Sequence, residues 1–87
     1  MPFVYIVRCK DNSLYTGWTT DLDRRIQKHN DGTGAKYTRG RGPVKLTYFE
    51  EFDSKVESAK REYEIKQLTK KQKEKIIRDN DIITSSK

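Results

Sequence analysis

FVYIVRCKDNSLYTGWT, residues 3–19, decides the architecture. Its first half, Phe3-Val4-Tyr5-Ile6-Val7-Arg8-Cys9, is β-branched and aromatic, the composition of a strand. Lys10-Asp11-Asn12-Ser13 is turn chemistry, and residues 14–19 resume β character. The segment predicts a β-hairpin. Gly17 inside the second strand weakens it unless the strand bends there or something closely approaches its backbone.

Beyond the hairpin, Thr20 is the predicted N-cap of a helix, with Asp21 and Asp23 in the first turn where the helix dipole favours anions. Leu22 and Ile26 supply its apolar face. Asn30-Asp31-Gly32 ends it, Gly32 being suited to the left-handed conformation past the C-cap. GTGAKYTRGRGP, residues 32–43, is a glycine-rich basic loop, long for so small a chain, and such loops are usually functional or mobile. Residues 44–52, VKLTYFEEF, read as a third strand. Ser54 and Glu57 form a capping box opening a second helix, along which Val56, Ala59, Tyr63 and Lys66 share the predicted buried face. Thr69 and Gln72 open a third, with Ile76 and Ile77 on its apolar side. The order β-β-α-β-α-α predicts an α+β fold, a small antiparallel sheet flanked by helices. It forms one domain over residues 1–78, followed by a short polar C-terminal tail at 79–87.

With 87 residues, only about 60% of the unfolded chain's surface is buried, so one thin core is expected. Hydrophobic residues make up 32% and aromatics 10%, and their periodic placement argues for a folded chain. The single cysteine, Cys9, has no internal disulfide partner, and Cys9 with His29 is too thin a set for zinc. This fits a reducing cytosol. The apolar start is too short for a signal peptide or a membrane span, so a soluble cytoplasmic protein is expected. Net charge is +6, and residues 55–78 carry nine basic against four acidic side chains, +5 of that total. Such a segment attracts polyanions, nucleic acid above all, although solvated helix faces account for the charge equally well.

Arg25 and His29 are four apart on the first predicted helix and so neighbours on one side of it. The pair offers a permanent cation for charge developing on phosphorus and an imidazole that titrates near neutrality. A lone helical histidine is ordinarily surface or boundary, and Arg24 and Lys28 look like solvated charges. Tyr5 and Tyr15 lie on adjacent strands, and buried tyrosines are more often core than machinery. Gly17, however, faces the same side as Tyr15, leaving bare backbone beside a phenol. Glu62 sits at the edge of the second helix's buried face. One carboxylate is a sparse shell for Mg²⁺ or Mn²⁺, which prefer oxygen donors, with water and phosphate completing it.

FVY at 3–5 followed by YTG at 15–17, ten residues from tyrosine to tyrosine, resembles the two-part signature of the GIY-YIG nuclease domain. The likeness continues with Arg25, His29 and Glu62 and covers residues 3–77. It is strongest to the small bacterial UPF0213 proteins. It extends to structure-specific endonucleases of the same superfamily, which have a similar R-R-x-x-x-H helix and a loop like Gly40-Arg41-Gly42-Pro43. Phe3 stands where the family signature has glycine, and Thr16 where it has isoleucine. Lys66 and Gln67 occupy the helix beyond Glu62, where some relatives carry asparagine.

The resemblance implies a three-stranded antiparallel sheet flanked by helices and hydrolysis of a DNA phosphodiester with one divalent ion, Mg²⁺ or Mn²⁺. Tyr5 would shape the site and help deprotonate water, and Tyr15 and Gly17 would meet the nucleophile or scissile phosphate. Arg25 would stabilise the transition state, His29 would assist proton transfer or hold phosphate, and Glu62 would ligate the metal. The leading expectation is therefore an endonuclease, acting as a monomer on branched or nicked DNA in repair or recombination. The alternative is a non-catalytic nucleic-acid-binding module of the same fold. Under both, Lys36, Arg39, Arg41, Lys66, Lys70 and Lys73 contact phosphates. A third possibility is a partner subunit that docks through its last helix, against which the +5 segment weighs mildly.

Overall fold

A computed structural model describes residues 1–85 of the chain, with side chains through Asn80. The elements are β1 (Phe3–Arg8), β2 (Leu14–Thr19), α1 (Leu22–Asn30), β3 (Lys45–Glu51), α2 (Lys55–Lys66) and α3 (Lys70–Ser85). This is the expected order, and the three strands form one antiparallel sheet, β2-β1-β3. The hairpin turn closes through a Cys9 N–H bond to the Ser13 carbonyl (2.8 Å). Asn12 takes the left-handed conformation there (φ 71°), which asparagine tolerates.

β1 is the central strand and carries helices over both faces. That is why Val4, Tyr5, Ile6 and Val7 are all fully buried and the strand does not alternate. Val4 and Ile6 point to one side and pack with Leu14, Ile65 of α2 and Ile77 of α3. Tyr5 and Val7 point to the other, with Cys9, Val44 and the α1 residues Leu22 and Ile26. The core is thus two thin layers split by the sheet.

Three expectations change. The N-cap of α1 is Asp21, not Thr20: its carboxylate accepts the Arg24 N–H (3.2 Å), while Thr19 Oγ1 accepts the Asp21 N–H (3.2 Å). β2 runs through Thr19, and this hydroxyl turns the chain so that the carboxylate, one residue later, meets the open helix end. The second helix is capped by Ser54 as expected, but its buried face is not Val56-Ala59-Tyr63-Lys66. Val56 and Tyr63 are each 68% exposed, whereas Ser58 and Ile65 are buried. Ile65 plugs the Val4–Ile6 layer, and Arg61 reaches Glu50 of β3 (3.0 Å), so these two anchors set the rotation of the helix.

The third helix opens on the expected Thr69–Gln72 box and is clamped to β1 by a bidentate Arg8–Glu74 pair (2.8 and 2.6 Å). It continues through residues 79–85, expected from their polarity to be a tail, with no glycine or proline to break it. Residues 86–87 of that tail lie outside the described residues. Among the described residues, no helix is long and apolar enough to cross a membrane.

Candidate active site

Tyr5 stands opposite Gly17 in the β1–β2 register, and the two share the face that α1 covers. A Cβ at Gly17 would lie 2.6 Å from the Tyr5 hydroxyl and 3.2 Å from the Tyr15 ring. Glycine is therefore needed for close approach, and the phenol lies along bare strand backbone. From α1, Arg25 Nε–H donates to the same hydroxyl (3.3 Å), and His29 Nε2 lies 2.8 Å from it. The helical four-residue spacing thus brings a guanidinium and an imidazole to one oxygen.

His29 is inside, 1% exposed, rather than on the wall of an open pocket. Its Nδ1 lies 2.7 Å from Thr38 Oγ1, and that hydroxyl donates to the Ala35 carbonyl (3.0 Å). Tyr15 closes the ring's other side with its edge-on contact at 5.5 Å. The basic loop folds back over the imidazole so tightly that a Cβ on Gly34 would lie 2.5 Å from Nδ1 and 2.9 Å from the His29 Cα. Thr38 and Gly34 belong to the site and were missed in the sequence. The glycine-rich composition of residues 32–43 was the only signal, and it did not say which residues turn inward.

Burial pushes the Tyr5 phenol above its usual 10, against the hydrogen bond and charge of Arg25 that pull it down. Burial, and then the positive charge of Arg25, hold the His29 imidazole below its usual 6.5. At neutral pH the site contains a protonated phenol against a neutral imidazole. The two groups meet as one hydrogen-bond donor and one acceptor.

Glu62 of α2 is three-quarters buried or more, its side chain 20% exposed, and Lys66 Nζ lies 3.4 Å from its Oε2. The same ammonium is 5.9 Å from the Tyr15 ring centre, and the negative charge of Glu62 is felt at Tyr5. The carboxylate is thus linked to the Tyr15 side of β2 through Lys66. Among the described residues no group of three or more His, Cys, Asp or Glu side chains gathers to hold a metal. The donor is a single hard oxygen ligand, which fits Mg²⁺ or Mn²⁺ completed by water and substrate phosphate.

Cations extend outward from this centre. Arg25 lines a shallow groove with Arg24, Lys28 and Thr19, so two arginines and a lysine share it rather than Arg25 alone. Beside Tyr37, Lys70 and Lys73 line a cleft with Asp11 and Ser13. Tyr37 stacks on Tyr15 (5.6 Å, 24° between planes), and the Arg41 guanidinium lies 4.4 Å from the Tyr37 ring centre. Arg41 also pairs with Asp11 (2.6 Å), so part of its charge is already answered. Lys36 and Arg39 are exposed on the loop.

Residues 1–75 match the model of the GIY-YIG catalytic domain. A UPF0213 protein of Clostridium perfringens is 61% identical over 82 residues, 94% of this chain and 88% of its own. One from Halobacterium salinarum is 57% identical over 77 residues, 88% of this chain and all of its own. Two solution NMR structures share the fold. The UPF0213 protein of Bacillus halodurans is 55% identical with a TM-score of 0.57, covering 88% of this chain and 83% of that one. A protein of E. faecalis is 41% identical with a TM-score of 0.61, covering 92% and 85%.

Proposed function

The chain belongs to the GIY-YIG catalytic domain family, and from that premise we propose that it is an endonuclease that hydrolyses a DNA phosphodiester. The observation that carries this is the Tyr5 hydroxyl, held between His29 Nε2 and Arg25 Nε over the bare backbone of Gly17. A structural tyrosine needs one partner and no cleared floor.

The chemistry follows from those contacts. Tyr5 Oη is covered in the resting arrangement; once Arg25 turns to the phosphate, the water that attacks phosphorus gives its proton to Tyr5 Oη as the phenolic proton passes to His29 Nε2. The new P–O bond forms, the bond to the leaving oxygen breaks, and that oxygen takes a proton from solvent. Arg25, beside the phenol, neutralises the extra negative charge of the pentacovalent phosphorus. Glu62 would hold one Mg²⁺ or Mn²⁺, which when bound supplies Lewis-acid polarisation of the phosphate. Tyr15 carries the strand past Tyr37 and Arg41 toward Lys66, Lys70 and Lys73, with Lys36 and Arg39 at the loop rim. We place the protein in the cytoplasm as a monomer acting on branched or nicked DNA in repair or recombination.

One contact favours the alternative, a non-catalytic nucleic-acid-binding module: Lys66 already answers the charge of Glu62. Cleavage of branched, nicked and plain DNA with Mg²⁺ or Mn²⁺ separates the two. Metal-dependent cutting by the wild type, lost in folded Arg25→Ala and Glu62→Ala, is the expected result. Binding without cutting, undiminished in Glu62→Ala, would establish the module instead.

A further inference from the structure

We infer that Thr38 is a positioning residue that fixes the tautomer of His29 and so decides which way the Tyr5 proton moves. This rests on the proton relay from Tyr5 to His29 proposed above. Thr38 is 1% exposed, so its hydroxyl has no water to share. That hydroxyl has one proton, which we assign to the Ala35 carbonyl at 3.0 Å, an acceptor that can donate nothing in return. Toward Nδ1, 2.7 Å away, Thr38 then offers only lone pairs, and Nδ1 must be the nitrogen that bears hydrogen. Nε2 is left bare and accepts the Tyr5 O–H across 2.8 Å.

The other contact of the Tyr5 hydroxyl agrees with this assignment. With its proton directed to His29, the phenol keeps its lone pairs for other donors, and one of them takes the Arg25 Nε–H (3.3 Å). The opposite tautomer would have Nε2 donate to Tyr5, and the phenolic proton would have no inward acceptor. The Ala35 N–H favours that tautomer, but at 3.4 Å from Nδ1 it is a far longer contact than Thr38. The Thr38 backbone is fixed as well, its N–H bonded to the same Ala35 carbonyl (3.2 Å). Gly34, with room for no Cβ, lets this turn press against the ring.

His29 is the single histidine, so its two ring nitrogens give one unambiguous set of long-range ¹⁵N–¹H correlations. At neutral pH the wild type is expected to show a protonated Nδ1 and a bare Nε2. Thr38→Ser, which keeps the hydroxyl, retains that pattern and the cleavage rate. Thr38→Val moves population to the Nε2–H form and lowers kcat by about tenfold or more, with KM for DNA little changed. A wild-type spectrum with Nε2 protonated overturns the proposal without recourse to any variant. So does Thr38→Val that keeps the wild-type pattern, or Thr38→Ser that loses as much activity as Thr38→Val. Wild type that cuts no DNA overturns the relay itself, whereas the tautomer assignment still stands or falls on the spectrum.

Discussion

Gly17 and Thr16 are adjacent on β2, point to opposite faces, and face opposite problems. At Gly17 there is no space: a methyl group 2.6 Å from the Tyr5 oxygen must push the phenol off its bonds to His29 and Arg25. Gly17→Ala is therefore expected to fold, as judged by its NMR spectrum, yet lose about 100-fold in kcat/KM for DNA cleavage, the scale of a small misplacement at reacting groups. At Thr16 there is a group too many. Its hydroxyl is buried without a hydrogen-bond partner among the described residues, in the layer filled by Val4 and Ile6. Thr16→Val keeps the shape and removes the stranded dipole, so the urea midpoint should rise, by about 1 kcal/mol of stability. A less stable Thr16→Val would mean that the hydroxyl has a partner after all. Tyr5, Tyr15, Gly17, Arg25 and His29 were legible because strand alternation and helical spacing fix their faces locally. Thr38 and Gly34 were not, because a loop's inward contacts obey no period and are set by the imidazole it folds over.

Helix α1 positions two of the site's side chains, so its end is coupled to the chemistry. Asp21 holds that end through the Arg24 N–H, and Asp21→Ala should cost about 1 kcal/mol in denaturant unfolding. The same variant should cleave more weakly, since fraying from residue 22 loosens Arg25 before it reaches His29. Equal stability would show that Thr20, the cap read from the sequence, can take over. The capping boxes at Ser54 and Thr69 were readable because they are made within four residues. The rotation of α2 was not: its apolar residues Val56 and Tyr63 face outward, and the anchors that decide its phase, Ile65 in the core and Arg61 on Glu50, are tertiary. That rotation leaves Glu62 largely buried, with Lys66 in reach of both its carboxylate and the Tyr15 ring.

Across the whole molecule, the buried site makes stability depend on pH in a way that surface charge does not. His29 resists protonation because it is buried and faces Arg25, with Tyr5 and Tyr15 filling the space around its ring. Above its ordinary value of 6.5 the imidazole is neutral folded and unfolded, and pH changes nothing. Just below 6.5 the unfolded chain binds a proton that the folded chain refuses, so stability falls with pH until the depressed folded value is passed. At the alkaline end, burial and then the hydrogen bond and charge of Glu50 push Tyr48 from 10 up to about 12. Between those values the unfolded chain loses its proton first, and stability falls as pH rises. Asp11 and Glu74, held down by Ser13 and Arg8 respectively, add acid sensitivity only below their ordinary 3.8 and 4.5. Urea midpoints followed against pH should therefore show a plateau with two shoulders. His29→Gln should flatten the acid shoulder and leave the alkaline one, and Tyr48→Phe should shrink the alkaline one, to which the buried Tyr5 also contributes, and leave the acid one. If the acid slope immediately below pH 6.5 survives in His29→Gln, the proton is going elsewhere. The neutral imidazole on which the relay depends would then have lost its thermodynamic support.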